Sequence, residues 1–136
     1  MPVLAMLTSG ALRQTLSPRD DDPLAMSLSE IIAQRKILYV CLNSLPDPTV
    51  AGAIGSMLLA DLASCAGERY NNTSISRNTV SLFVDECANT ISRSLIEILN
   101  KGAESGLRTT CAMQTVADLA ARLARPMKRA CARQLQ

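Results

Sequence analysis

Apolar residues recur at helical spacing in some stretches of this chain and run almost unbroken in others. The clearest helix opens at Thr49 and continues to about Ala66. There Val50, Ala53, Ile54, Met57, Leu58, Leu62 and Cys65 follow the i, i+3, i+4, i+7 rule along one face. Gly52 and Gly55 would let this helix approach a neighbour closely, at a cost in propensity, and Gly67 is expected to stop it. Lys36 to Leu42 (KILYVCL) is a near-continuous apolar run, which predicts a central strand covered on both faces. Val80 to Val84 (VSLFV) is too short for a helix and rich in β-branched and aromatic residues, so it reads as a second strand. Leu107 to Met113 (LRTTCAM), with two β-branched threonines, reads as a third. A short helix is predicted behind Ser27 or Ser29 through Arg35, with Glu30 in its first turn. Ser92 caps another from about Arg93 to Lys101, its end bracketed by Gly102 and Gly106. Thr115 caps a last helix to about Leu123. Ser17–Pro23, Asn43–Pro48 and residues 67–79 are loops.

Helices that alternate with strands in this way predict an α/β fold, a parallel sheet with helices on both faces. Three strands are few for such a sheet and leave open edges, so the sequence looks like part of an α/β domain. Composition adds bounds. Of 136 residues 48% are apolar but only 2% aromatic (Tyr39, Tyr70 and Phe83), so the core must be aliphatic. No apolar run approaches the roughly 20 residues that span a bilayer, and Met1–Leu16 lacks the basic start and cleavage site of a signal peptide. The five cysteines (Cys41, Cys65, Cys87, Cys111 and Cys131) form no CxxC pair, and histidine is absent, which argues against a zinc site. They read as reduced core residues of a cytoplasmic protein, where the glycosylation-like matches at Asn71 and Asn72 have no role. The net charge is +2, yet from Arg122 onward there are basic residues and no acids, so the body is net acidic.

Chemistry enters at Asp85 and Glu86, which end the second strand. Unpaired charges cannot share the buried surroundings of an apolar strand, so both acids should emerge at the carboxyl edge of the sheet. In open α/β folds ligands bind at that edge. A bland alternative is a strand end followed by a helix cap. Gln114 and Thr115 end the next strand. If the two strands are parallel neighbours, their ends lie about 5 Å apart, and Gln114 shares the crevice with the acids. An amide there can donate to a phosphate oxygen and accept from water.

Four segments together resemble the carboxyl-terminal part of the motor domain of TraD/TraG-type conjugative coupling proteins. They are Lys36–Val40 with Leu45-Pro46-Asp47; Ala53–Ala63; Leu82–Glu86; and Leu99–Gly102 continuing to Cys111–Leu119. The likeness covers roughly residues 27–123 and is nearest to the TraD branch of integrative conjugative elements. It implies an incomplete RecA-like P-loop NTPase domain. Such proteins are hexameric ATPases at the cytoplasmic face of the bacterial inner membrane. They bring the relaxosome and its single-stranded DNA to a type IV secretion channel. By resemblance, Asp85 matches the Walker B acid that holds Mg²⁺ through water, Glu86 the acid that activates water, and Gln114 the sensor glutamine, with Thr115 beside the nucleotide. ATP and Mg²⁺ are the cofactors implied for the full-length family, and a relaxosome accessory protein is an implied partner.

The departures are equally specific. No stretch matches the phosphate-cradling loop Gly-x-x-x-x-Gly-Lys-Ser/Thr: Gly52 to Gly55 lacks the lysine, and Lys101-Gly102 is in the wrong order. The family's membrane-spanning segments have no match either. The chain therefore divides into an amino-terminal remnant with an acidic loop (1–26), the motor-like part (27–123) and a basic tail (124–136) that reads as frameshifted. The expectation is a fragment that binds no nucleotide and does not hydrolyse ATP alone. The alternative is a stand-alone interaction module that binds a relaxosome protein or DNA through its tail, with a steep salt dependence.

Overall fold

The computed structural model describes residues 22, 25–42, 48–72, 78–117 and 120. Among the described residues the elements with full bounds are α1 (Leu28–Ala33), α2 (Pro48–Asn71), β1 (Val80–Val84), α3 (Arg93–Lys101) and β2 (Leu107–Cys111). Short 3₁₀ turns follow β1 at Cys87–Asn89 and α3 at Gly102–Ser105.

Local signals account for most boundaries. Ser27 opens α1 with a capping box: its hydroxyl accepts the Glu30 amide, and the Glu30 carboxylate accepts the Ser27 amide at 2.8 Å. The Ser27 amide and hydroxyl both hold the Glu30 carboxyl below its ordinary pKa. At the other end Arg35 takes the left-handed conformation (φ 55°). Its amide donates to the Ile32 carbonyl and that of Lys36 to the Ile31 carbonyl, the paired bonds of a Schellman ending. Ser92 caps α3 by accepting the Leu95 amide, and Gly106 turns the chain into β2 at φ 84°.

β1 and β2 are parallel neighbours in register, Val80 opposite Leu107 through Val84 opposite Cys111. With α3 as the crossover they form a βαβ unit. One sheet face carries Val80, Leu82, Val84, Leu107 and Cys111 against a cluster of Leu59, Leu62, Ala66, Cys87, Leu95 and Ile98. Leu28 and Ile32 of α1 pack on the same cluster. The other face carries Ser81, Phe83, Arg108 and Thr110 and is open; Phe83 is 75% exposed. The expected cover on both faces is therefore found on one face only among the described residues. The molecule is mixed helix and strand with a small parallel sheet.

Three expectations need correcting. First, Lys36–Leu42 pairs in no ladder among the described residues. It does not wander, however. Its start is fixed by Arg35 Nη2, which donates to Asn78 Oδ1 (3.0 Å) just before β1. Its end lies where Leu42 and Thr90 both approach Gly55 of α2, beyond the far end of β1. Between these points exposure alternates: Ile37 96%, Leu38 48%, Tyr39 86%, Val40 42%. Leu38, Val40 and Leu42 are thus the less exposed positions of a segment that joins no ladder among the described residues. An apolar run specifies burial but not its hydrogen-bond partner, which is non-local.

Second, α2 passes Gly67 and ends at Asn71. Gly67 lies on the exposed side, so its lack of a side chain removes no packing. At this length α2 is also long and apolar enough to cross a membrane, contrary to the reading from apolar runs alone. Its Leu59, Leu62 and Ala66 nonetheless sit in the core cluster. Third, the buried face is Val50, Ala51, Gly55, Leu59, Leu62, Cys65, Ala66 and Arg69, rotated from the expected one. Small residues decide this rotation. A Cβ on Gly55 would meet Thr90 Cγ2 at 3.0 Å and Leu42 Cδ1 at 3.2 Å, so the helix seats on its glycine. The close approach expected of Gly55 is present; Gly52 is not buried. The turn expected at Asn43–Pro48 falls largely outside the described residues, as do residues 73–77 of the expected loop 67–79, whose start is instead the end of α2, and residues 1–21 and the tail.

Arg69 is the one buried charged side chain among the described residues, and sequence periodicity had not marked it. Its Nε donates to the Ser105 carbonyl (3.2 Å) and its Nη2 to the Asn78 carbonyl. The guanidinium thus meets carbonyl oxygens ahead of both strands and joins α2 to the amino-terminal edge of the sheet.

Candidate functional site

The carboxyl ends of β1 and β2 are adjacent, with no strand between them. The ladder continues past the strands. The Ala112 amide donates to the Val84 carbonyl (2.9 Å), and the Cys87 amide donates to the Ala112 carbonyl (3.0 Å). A regular parallel ladder would take that second bond from the residue two after Val84, which is Glu86. Here it comes one residue later. Asp85 and Glu86 therefore form an excursion with one residue more than the ladder needs, a bulge at the strand end. The extra residue is accommodated by Glu86 in the left-handed conformation, φ 47° and ψ 46°.

The bulge turns both carboxylates out of the apolar interior, and both residues are exposed. Asp85 Oδ1 accepts the Glu86 amide at 2.9 Å, a short contact that stabilises the excursion. Gln114, three residues past β2, donates from Nε2 to Glu86 Oε1 at 3.3 Å. The two residues are 28 apart in sequence and meet only because the strands are parallel neighbours in register. Thr115 directly precedes helical backbone at Val116 and Ala117; the rest of the helix expected to about Leu123 is mostly outside the described residues.

Asp85, Glu86 and Gln114 thus lie together at the carboxyl edge of the sheet. Sequence reasoning missed the bulge. Its only signal is the Cys87 amide, whose partner is set by tertiary structure. Hard carboxylate oxygens and an amide on two exposed residues and Gln114 are of the type that suits Mg²⁺ bound through water. Among the described residues no three histidine, cysteine or acidic side chains converge on one point. A nucleotide fits less well. Two carboxylates repel phosphate unless cations intervene, and no loop with the cradle sequence is present in this chain.

No family model matches the chain, and comparison with curated proteins and with solved structures returns no significant match.

Proposed function

We propose that residues 27–123 are a piece of a conjugative coupling ATPase, of partial RecA-like fold, with Asp85, Glu86 and Gln114 as its water-activating edge. The contact between Glu86 and Gln114 across neighbouring parallel strands carries this reading. In a phosphoryl-transfer site the protein's task is positioning and charge stabilisation. In such a site Glu86 would hold the attacking water and accept its proton, Gln114 would fix the Glu86 carboxylate through the contact at 3.3 Å, and Asp85 would hold Mg²⁺ through water. Mg²⁺ bound there would supply charge neutralisation on the phosphates. The partners that follow are a relaxosome accessory protein, single-stranded DNA and further motor subunits at the inner face of a secretion channel.

The test is a hybrid. Residues 27–123 are joined to the phosphate-loop half of a coupling-protein motor, and ATP turnover is measured beside that of the chain alone. The hybrid should turn over ATP and lose at least tenfold with Glu86→Gln or Gln114→Ala, while the chain alone is inactive. A folded hybrid without turnover, or one indifferent to both substitutions, would sink the proposal.

A further inference from the structure

Two arginines meet at the amino-terminal edge of the sheet, the edge opposite Asp85 and Glu86. Arg69 reaches it from α2 and is only 5% exposed. Its Nε donates to the Ser105 carbonyl (3.2 Å) and its Nη2 to the Asn78 carbonyl. Arg35, at the turn that closes α1, arrives at the same residue: its Nη2 donates to Asn78 Oδ1 at 3.0 Å. Two guanidinium groups are thus anchored on one asparagine, one on its main chain and one on its side chain. Only that residue and two hydrogen bonds separate them.

Their charge is not balanced. Carbonyl oxygens satisfy donors but carry no net charge, and a buried cation without a counter-ion is costly. Among the described residues neither arginine has a carboxylate partner; the described ion pair is Arg93–Glu97. Glu68 and Glu104, next to Arg69 and Ser105 in sequence, are exposed, and neither pairs with Arg69. Two cations anchored on one residue repel each other, and an anion bound to both turns that repulsion into attraction. Donors remain for such an anion. Arg35 is exposed and its guanidinium bonds only through Nη2. Every buried side-chain nitrogen among the described residues has a partner, so the unbonded Nη1 of Arg69 reaches the surface.

We propose that Arg35 and Arg69, held by Asn78, form a binding site for a phosphate group with three or more terminal oxygens, inorganic phosphate or a phosphate monoester. Guanidinium forks match phosphate oxygens. Such a group has oxygens enough to serve both arginines at once, whereas a phosphodiester or a carboxylate offers only two. The bonds to Asn78 and Ser105 fix the forks before the anion arrives, so little side-chain freedom is lost on binding. The site stands at the opposite end of the strands from Glu86 and Gln114 and is independent of the ATPase reading.

Inorganic phosphate is titrated into the full, isotope-labelled chain at constant ionic strength, and the Asn78 amide and Arg69 Nε–H resonances are followed. Both should shift saturably with phosphate and not with chloride. Arg35→Gln removes an exposed guanidinium without opening the core and should weaken binding about tenfold, the worth of one hydrogen bond to a charged group. Arg93→Gln removes the same charge at the other end of α3 and should leave the affinity unchanged. Glycerol phosphate separates the sources: tighter binding than inorganic phosphate assigns an esterified group, weaker binding the free ion, and either result keeps the site. Dimethyl phosphate, with two free oxygens, should bind more weakly than both. The proposal is overturned by the absence of a saturable shift at Asn78 and Arg69, by equal affinity in Arg35→Gln and Arg93→Gln, or by dimethyl phosphate binding as tightly as inorganic phosphate.

Discussion

Glu86 is the residue on which local conformation and candidate chemistry meet. A residue with a Cβ in the left-handed region costs roughly 1–2 kcal/mol. Glu86 adopts it because the ladder resumes at Cys87 and leaves one residue to be turned outward. Its carboxylate gains the Gln114 contact in return. Backbone strain of this kind collects at functional sites. The strain can be measured apart from the chemistry. Glu86→Gly and Glu86→Ala both delete the carboxylate, but only glycine relieves the left-handed φ. Glycine also adds unfolded-chain entropy, which subtracts part of the gain, so Glu86→Gly should be more stable than Glu86→Ala by roughly 0.5–1 kcal/mol. Denaturant unfolding of the two variants decides it, and the reverse order would mean that the turn relaxes when the side chain is shortened. The emergence of the acids was legible in the sequence because an unpaired buried charge is costly wherever it occurs. The bulge was not, because no feature of Asp85-Glu86-Cys87 states which amide reaches Ala112.

At the scale of elements, what was legible is what is local. Ser27 with Glu30, Ser92, and the glycines at 102 and 106 act within one turn of themselves, and the helices they bound appear where expected. What was not legible depends on a distant partner: the face α2 buries, its passage through Gly67, and the unpaired state of Lys36–Leu42. The two glycines of α2 separate these cases. Gly67 is inside the helix, exposed, with nothing within 4 Å of a Cβ. Gly67→Ala should therefore stabilise by about 0.5–1 kcal/mol through helix propensity and chain entropy. Gly55 has the same propensity to recover, but its new methyl would press on Thr90 Cγ2 at 3.0 Å and Leu42 Cδ1 at 3.2 Å. Thr90 is held by its own hydroxyl on the Cys87 carbonyl (3.3 Å) and yields little. Gly55→Ala should thus fall below Gly67→Ala by at least about 1 kcal/mol, since overpacking typically costs 1–3 kcal/mol. Thermal melts of both variants test the pair; equal melting temperatures would show that α2 does not seat on Gly55.

For the molecule as a whole, the apolar surface exceeds what the fold covers. Tyr39, Tyr70 and Phe83, all the aromatic residues of the chain, are exposed. Ile37 and Tyr39 are almost fully exposed, and the sheet has unpaired edges among the described residues. Exposed apolar patches next to open edges are where chains associate. Whether this surface drives association or merely tolerates exposure is a question of charge placement. At 96% and 86% exposure, Ile37 and Tyr39 contribute almost nothing to the packed core. The double substitution Ile37→Lys with Tyr39→Lys should leave unfolding stability within roughly 0.5 kcal/mol, as exposed sites generally do. It should also lower concentration-dependent association seen by sedimentation or light scattering, because lysine on an edge opposes strand addition. Loss of stability by more than about 1 kcal/mol would show that the segment is docked against the sheet in solution, as the third strand it was expected to be. Unchanged association at unchanged stability would move the associating surface elsewhere, and Phe83 on the open sheet face would be the next position to charge.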